Sequence, residues 1–205
     1  MEAKKPVLLS TAYLPPVHYF MAMKLAGEVY IEKHETYAKQ TYRNRCEIYT
    51  SNGKLALTIP VKKVNGNHTV IDQVEVSDQY NWQVLHWRAI HAAYANSPFF
   101  LYYKDDLKFF YQNKFNSLFD FNQQLLSEII SLIGINVKIS YTEVFEKQPE
   151  NWIDYRNTIS PKKLPTEFYL KPYYQSFNEK HGFISGLSIL DVLFNIGPET
   201  QDILS

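Results

Sequence analysis

The chain has a single cysteine, Cys46, which excludes an internal disulfide and a cysteine-rich zinc site. It has no excess charge of either sign: 21 basic side chains balance 21 acidic ones, which argues against a dedicated nucleic-acid binder. No apolar run approaches the ~20 residues of a membrane span. The nearest thing to a leader is PVLLSTAYL after Lys4-Lys5, and it is broken by Pro15-Pro16, His18 and Lys24 with no clean small-residue cleavage site. The expected location is therefore cytoplasmic. Also missing are a glycine-rich phosphate loop, a Ser-His-Asp or Cys-His signature, internal repeats, low-complexity tracts and Ser/Gly linkers. A covalent intermediate is not expected, and nothing in the sequence names a cofactor. With 205 residues, 45% hydrophobic and 20% charged, the chain is long enough to fold as one domain over residues 1–205 with a sizeable core.

Aromatic residues are plentiful, with 16 Tyr, 13 Phe and 3 Trp. They suit polar clefts, interfaces and cores alike, so a homodimer with an aromatic interface is one reading. The central local signal is QTYRNRCEIYTSNGKLALTIPVKK, residues 40–63. Asn52-Gly53 between two alternating runs predicts a hairpin with a type I′ turn, Ser51 facing Lys54, Ile48 facing Leu57 and Cys46 facing Ile59. Cys46, Ile48 and Thr50 then share the core face with Leu55, Leu57 and Ile59. Arg43 and Arg45 share the opposite face, ~7 Å apart at two strand rises. Two guanidinium forks at that spacing suit a phosphate or carboxylate. If that face is free, Arg43→Ala weakens anion binding with little loss of stability.

Before the hairpin, Val7–Ser10 reads as a buried strand, His18–Ala26 as a helix closed by Gly27, and Glu28–Glu32 as a second strand. A strand–helix–strand unit implies a parallel pair, whose first loop lies at the carboxyl edge where α/β proteins bind ligands. That loop offers Tyr13, Pro15, His18 and Tyr19. Beyond the hairpin, Thr69–Val76 reads as a strand. Asp78 reads as the cap of a helix to Tyr94 with Trp82, Leu85, Ala89 and Ala93 inward. Asp105-Asp106 is expected to cap a second helix, and Leu118 to Gly134 holds a third. Residues 137–141 alternate as a strand, the stretch 146–172 is expected to lack regular structure, and Ser188 caps a last helix ending at Gly197-Pro198. His86 and His91 lie five apart on one helix, off the i, i+4 ligand spacing and without an acidic partner, so no metal site is expected. Asp191, inside an apolar run, requires a partner such as an arginine or a helix N-terminus. The expected class is α/β: a mixed sheet with the strand–helix–strand unit, the hairpin and flanking helices, with α+β as the alternative.

Five segments together resemble the WbqC-like protein family, often encoded among genes for O-antigen and other surface polysaccharides. They are AYLPPVHYF at 12–20, QTYRNRC at 40–46 with LTIPVKK at 57–63, the stretch from Trp82 to Tyr94, WIDYRNTISPKK at 152–163, and the terminal KPYYQSFNEKHGFISGLSILDVLFNIG at 171–197. Tyr13, Pro15, Arg43, Asn44 and Arg45 match the family pattern. The family's His-Gln-Pro element does not: Leu9, Ser10 and Thr11 stand there, and Lys33-His34-Glu35 replaces an acidic pair. The resemblance implies a transferase of lipopolysaccharide (O-antigen) precursor assembly, acting on a nucleotide-linked amino sugar by acyl or amino-acyl transfer.

On that reading Arg43, Asn44, Arg45 and Arg156 join Tyr13, Pro15 and Tyr19 around an anionic ligand such as a nucleotide sugar. One of His18, His34, His86 and His91 serves as base, because imidazole titrates near neutral pH. A non-catalytic ligand-binding or scaffold protein of the same pathway is the alternative, favoured by the missing His-Gln-Pro element.

Overall fold

The computed structural model of the chain describes residues 5–205. Four parallel strands form its main sheet. β1 (Val7–Ser10) is buried along its whole length, as an apolar run flanked by strands on both sides must be. Helix α1 (Val17–Ala26) follows, and the αL residue Gly27 ends it, its N–H bonding the Met23 carbonyl at 2.9 Å. β2 (Glu28–Glu32) then pairs parallel to β1, with Val7 opposite Val29 and Ser10 opposite Glu32. The strand–helix–strand expectation holds to within a residue.

The hairpin strands β3 (Arg45–Thr50) and β4 (Gly53–Thr58) form a separate antiparallel sheet. Their register differs from the expected one by two residues: Ile48 faces Leu55 and Cys46 faces Leu57. The turn residues are Ser51 and Asn52, and only Gly53 takes a positive φ, 92°. The Thr50 hydroxyl explains this, accepting the Asn52 N–H at 3.2 Å and donating to the Gly53 carbonyl at 2.9 Å. Because the slip is two residues rather than one, every side chain keeps its face. Cys46, Ile48, Leu57 and Ile59 are buried as expected, whereas Leu55 is exposed.

β5 (Val61–Lys63) and β6 (Val74–Val76) make a second antiparallel ribbon. Ile71–Gln73 is a 3₁₀ turn, so the expected strand over 69–76 is confined to its last three residues. Helix α2 (Trp82–Tyr94) starts after a 3₁₀ turn at Gln79–Asn81. Asp78 makes no side-chain cap bond and instead pairs with Lys114 at 3.1 Å. The buried face of α2 carries the expected Trp82 and Ala93 together with His86, Ile90 and Tyr94; Ala89 is partly buried against the core, and of the expected stripe Leu85 alone points to solvent. α3 runs over Phe100–Gln112, which places Asp105-Asp106 in its middle rather than at its cap. α4 (Leu118–Ile133) has Ser117 as N-cap, accepting the Asp120 N–H, and Gly134 as αL C-cap.

β7 (Lys138–Tyr141) pairs parallel to β2 on the far side from β1. β8 (Ile153–Asp154), inside the stretch expected to be irregular, pairs parallel to β1 on its other side. The order β7-β2-β1-β8 completes an all-parallel sheet. The α/β class holds, with parallel and antiparallel pairings in separate sheets. A short α5 (Asn178–His181) precedes α6 (Ile189–Ile196), whose N-cap Ser188 accepts the Leu190 N–H, and α7 (Thr200–Ile203) follows. The start of α6 locks the two halves together. Ile189 N–H bonds the Pro15 carbonyl at 2.9 Å and Ser188 N–H bonds the Glu47 carbonyl at 2.8 Å. Buried side chains from Val7 to Leu204 form one apolar cluster beneath these elements. Among the described residues, no helix is long and apolar enough to cross a membrane.

Candidate functional site

The chain leaves β1 toward β2, while β8 lies on the opposite side of β1. Strand order therefore reverses between β1 and β8, and in a parallel sheet the crevice at such a reversal, at the carboxyl ends, is where ligands bind. A cleft lies there. Ser10 ends β1 and Thr11 follows it, Tyr155 and Arg156 follow β8, and Tyr19, Tyr42 and Arg43 complete its polar lining. Its interior as it stands is about 10 Å³, room for one water.

Buried charge organises this cleft. Arg156 forks onto Asp154, Nε to Oδ1 at 3.0 Å and Nη2 to Oδ2 at 2.8 Å. Its Nη1 donates to Glu32 Oε2 at 2.9 Å, and Nη2 also reaches the Glu146 carbonyl at 2.8 Å. Glu32, the last residue of β2, is fully buried and takes the Thr142 hydroxyl at 2.7 Å and the His34 N–H at 2.8 Å. Arg43 makes a two-pronged contact with Glu35, Nε donating to Oε1 at 2.8 Å and Nη2 to Oε2, and Nη2 also donates to Ser10 Oγ at 2.7 Å. The Arg43 Nη1 has no protein acceptor among the described residues. Two guanidiniums thus sit among three carboxylates, Glu32, Glu35 and Asp154, leaving one net negative charge. The carboxylates pair with the guanidiniums without themselves lining the cleft, whose polar lining is Arg43 and Arg156 with Ser10, Thr11, Tyr19, Tyr42 and Tyr155.

The residues singled out in the sequence divide between this cleft and other places. Tyr19, Arg43 and Arg156 line it, and the Tyr19 hydroxyl is tied to the Ser10 carbonyl at 2.9 Å. His34 stands beside it, joined through Glu32, with Nε2 3.1 Å from the Thr142 carbonyl oxygen. Arg43 and Arg45 do not share a strand face. Arg43 lies in the turn before β3, whereas Arg45 reaches toward Glu47 and lines a separate groove with Asn44. The face opposite the hairpin's core side is also covered: Tyr49 is buried and its hydroxyl donates to the Gly182 carbonyl at 2.7 Å.

Tyr13 turns away into an aromatic cage, its hydroxyl 2.9 Å from both His86 Nδ1 and Tyr111 Oη. Burial in that cage lowers the His86 pKa to about 4, so its imidazole is neutral at pH 7. His18 is buried at the start of α1 with Nδ1 unpartnered, and burial lowers its pKa too. His91 is exposed on α2, edge-on to Phe100. Pro15 holds α6 through its carbonyl.

Glu32 and Glu35, which pair with the cleft's arginines without lining it, are not among the residues singled out in the sequence. A carboxylate ending the buried strand EVYIE was the available signal for Glu32. Cys46 is fully buried and its thiol is pushed up by burial, so it is packing and not a nucleophile. Asp191 finds neither of the arginines. It sits in the first turn of α6, with Tyr173 Oη at 2.7 Å and Gln175 Nε2 at 2.9 Å on Oδ2 and no partner on Oδ1. Burial lifts its carboxyl to about 6. Among the described residues no three His, Cys, Asp or Glu side chains converge as a metal site.

The chain is similar to uncharacterized protein Rv1507c of Mycobacterium tuberculosis, 26% identical over 227 aligned positions that cover 98% of this chain and 97% of that one. No solved structure matches it significantly. The model of the WbqC-like protein family matches residues 11–171, from the loop after β1 through β8 to the strap before α5. With most of its length matched, the chain belongs to the WbqC-like protein family.

Proposed function

We propose that this chain is a transferase of surface-polysaccharide (O-antigen) precursor assembly. It binds a nucleotide-linked amino sugar and transfers an acyl or amino-acyl group to the sugar's amine. The observation that carries the reading is the cleft at the carboxyl ends of β1 and β8, where Arg43 and Arg156 are held rigid among three carboxylates. Their fixed forks donate to sugar or acyl oxygens, and the net negative charge favours an ammonium group. A cleft with room for one water takes the amino end of the substrate and leaves the nucleotide outside.

We assign the base role to His34: its backbone N–H bonds Glu32, the partner of Arg156 in the cleft, and with Nε2–H donated to the Thr142 carbonyl the free ring nitrogen is Nδ1. The bound ammonium first gives one proton to solvent; the amine nitrogen then attacks the acyl carbonyl, its second proton passes to His34 as the C–N bond forms, and the bond to the leaving group breaks with its electron pair going to that group, which takes the proton from His34. His86 is enclosed in the aromatic cage around Tyr13 and His91 is exposed on α2, and neither lines the cleft. A binding protein without turnover is the second reading. It is favoured by Leu9, a fully buried apolar residue where the family resemblance places the histidine of its His-Gln-Pro element.

The test pairs thermal shift with product analysis, for the parent and His34→Gln, against amino-sugar nucleotides with acyl and amino-acyl donors. Turnover by the parent that falls at least a hundredfold in His34→Gln, with binding retained, supports the transferase. Equal turnover in both removes His34 from the mechanism. Saturable binding without product in the parent favours the binding protein.

A further inference from the structure

Arg45 lines a groove of its own. This groove has about 370 Å³ of room and is walled by Tyr37, Lys39, Gln40, Asn44, Arg45 and Lys63. Three cationic side chains face it and no carboxylate does. The Arg45 Nε is buried without a hydrogen-bond partner, an arrangement that is costly unless an acceptor arrives. The one carboxylate near Arg45 is already engaged: Glu47 lies 3.5 Å from its Nη2 but only 2.8 Å from Lys54 Nζ. Lys39 makes no ion pair among the described residues, and Lys63 reaches only the neutral Asn67 amide, at 2.8 Å. The volume falls within the usual range for small-molecule sites.

We propose that this groove is a diphosphate-binding site, distinct from the cleft between β1 and β8. Arg45 donates through its Nη groups to one phosphoryl group, Lys39 and Lys63 neutralise its charge, and the Gln40 amide hydrogen-bonds a remaining oxygen. Along the chain Tyr42 and Arg43 line the cleft while Asn44 and Arg45 line the groove. Residues 42 to 45 span at most ~10 Å of extended chain, so the two sites share one thin wall. If the cleft takes an amino sugar, which rests on the function proposed above, the diphosphate linking that sugar to its nucleotide is the group the groove receives.

Inorganic pyrophosphate tests the groove alone, since it carries neither sugar nor acyl group and says nothing about transfer. Calorimetric titration of the full chain is run on the parent, on the Lys39→Gln/Lys63→Gln double variant, on Arg45→Gln, and on a charge-matched Lys147→Gln/Lys162→Gln control. Both lysines of the first pair are at least partly exposed, so that variant keeps the fold even if Arg45→Gln loses it. The expected result is saturable binding that weakens about tenfold or more in the groove variants, is unchanged in the control, and is screened by added salt. No binding to the parent, or equal weakening in the groove double and the control, overturns the proposal.

Discussion

Replacing Arg43 with methionine removes one half of a buried ion pair. Arg43 and Glu35 expose only 5% and 8% of their side chains, so solvent screens little of the interaction. The variant keeps the aliphatic volume but leaves the Glu35 carboxylate buried without its two-pronged donor and Ser10 Oγ without the Nη2 bond. Breaking such a pair from one side costs about 3–5 kcal/mol, far above the 0–1 kcal/mol of a surface pair. In a chain of this size each kcal/mol lowers Tm by ~2–4 °C, so a loss of roughly 6–20 °C is expected. The double variant Arg43→Met/Glu35→Leu removes both charges and should recover most of that loss, giving a coupling of about 2–4 kcal/mol. Urea or thermal unfolding of the parent, both single variants and the double measures the cycle. A single-variant loss below about 1 kcal/mol would refute the reasoning, because it would mean that water reaches the pair. The expectation from the strand pattern alone, that Arg43 could be truncated at little structural cost, is overturned by this burial.

Asp191 binds its proton more tightly in the folded state, with a pKa of about 6 against an ordinary 3.8, so its contribution to stability falls as pH rises from about 4 to 6, by about 3 kcal/mol. Asp191→Asn should therefore compare better with the parent at pH 7 than at pH 4, and equal differences at the two pH values would contradict this. His86 has the opposite sign: its pKa of about 4 means that stability is lost as pH falls from ~6.5 toward 4, which a near-neutral substitution such as His86→Gln should flatten in acid unfolding curves. Tyr13→Phe removes the hydroxyl between His86 and Tyr111 and should cost about 1–3 kcal/mol in urea unfolding. Gly27→Ala and Gly197→Ala both meet a positive φ, which costs about 1 kcal/mol. Only the second drives a Cβ into the Phe99 ring, 2.4 Å from Cδ1, so Gly197→Ala should lose a further ~1–3 kcal/mol; equal losses would show that Phe99 swings aside freely.

Elements whose stabilising signal is local were legible in the sequence. β1, α1 and β2 carry an apolar run, a proline start and an αL glycine stop, and their bounds match the expectation closely. α4 and α6 carry their own Ser caps and glycine stops, and they too are where the pattern put them. Elements fixed by tertiary contact were not legible. β8 is two residues long and exists because Ile153 N–H bonds the Pro6 carbonyl and Tyr155 N–H the Leu8 carbonyl, which no local pattern announces. The inward face of α2 was read only in part, because His86 is buried by a bond to Tyr13, 73 positions away in sequence, whereas Leu85 finds nothing to pack against. The cleft was legible in part. Its arginines were found, but the carboxylates that satisfy them come from the ends of β2 and β8 and from the segment after β2, so the pairing depends on strand order.

The hairpin argument placed Arg43 and Arg45 together by extending β3 two residues too far. Alternation holds only while the backbone is a strand, and at Tyr42–Asn44 it is a turn. The consequence is a division of labour across the turn. On one side Arg43 is paired with the buried Glu35, which cancels its charge and fixes its orientation, and this favours precise positioning over affinity for an anion. On the other side Arg45, 3.5 Å from Glu47, and two lysines line a groove with no carboxylate in its wall, which favours anion capture over precision. On the function proposed above, a substrate joining an amino sugar to a diphosphate would carry both kinds of group within one molecule, and the three-residue turn Tyr42–Asn44 would set the distance between the two sites.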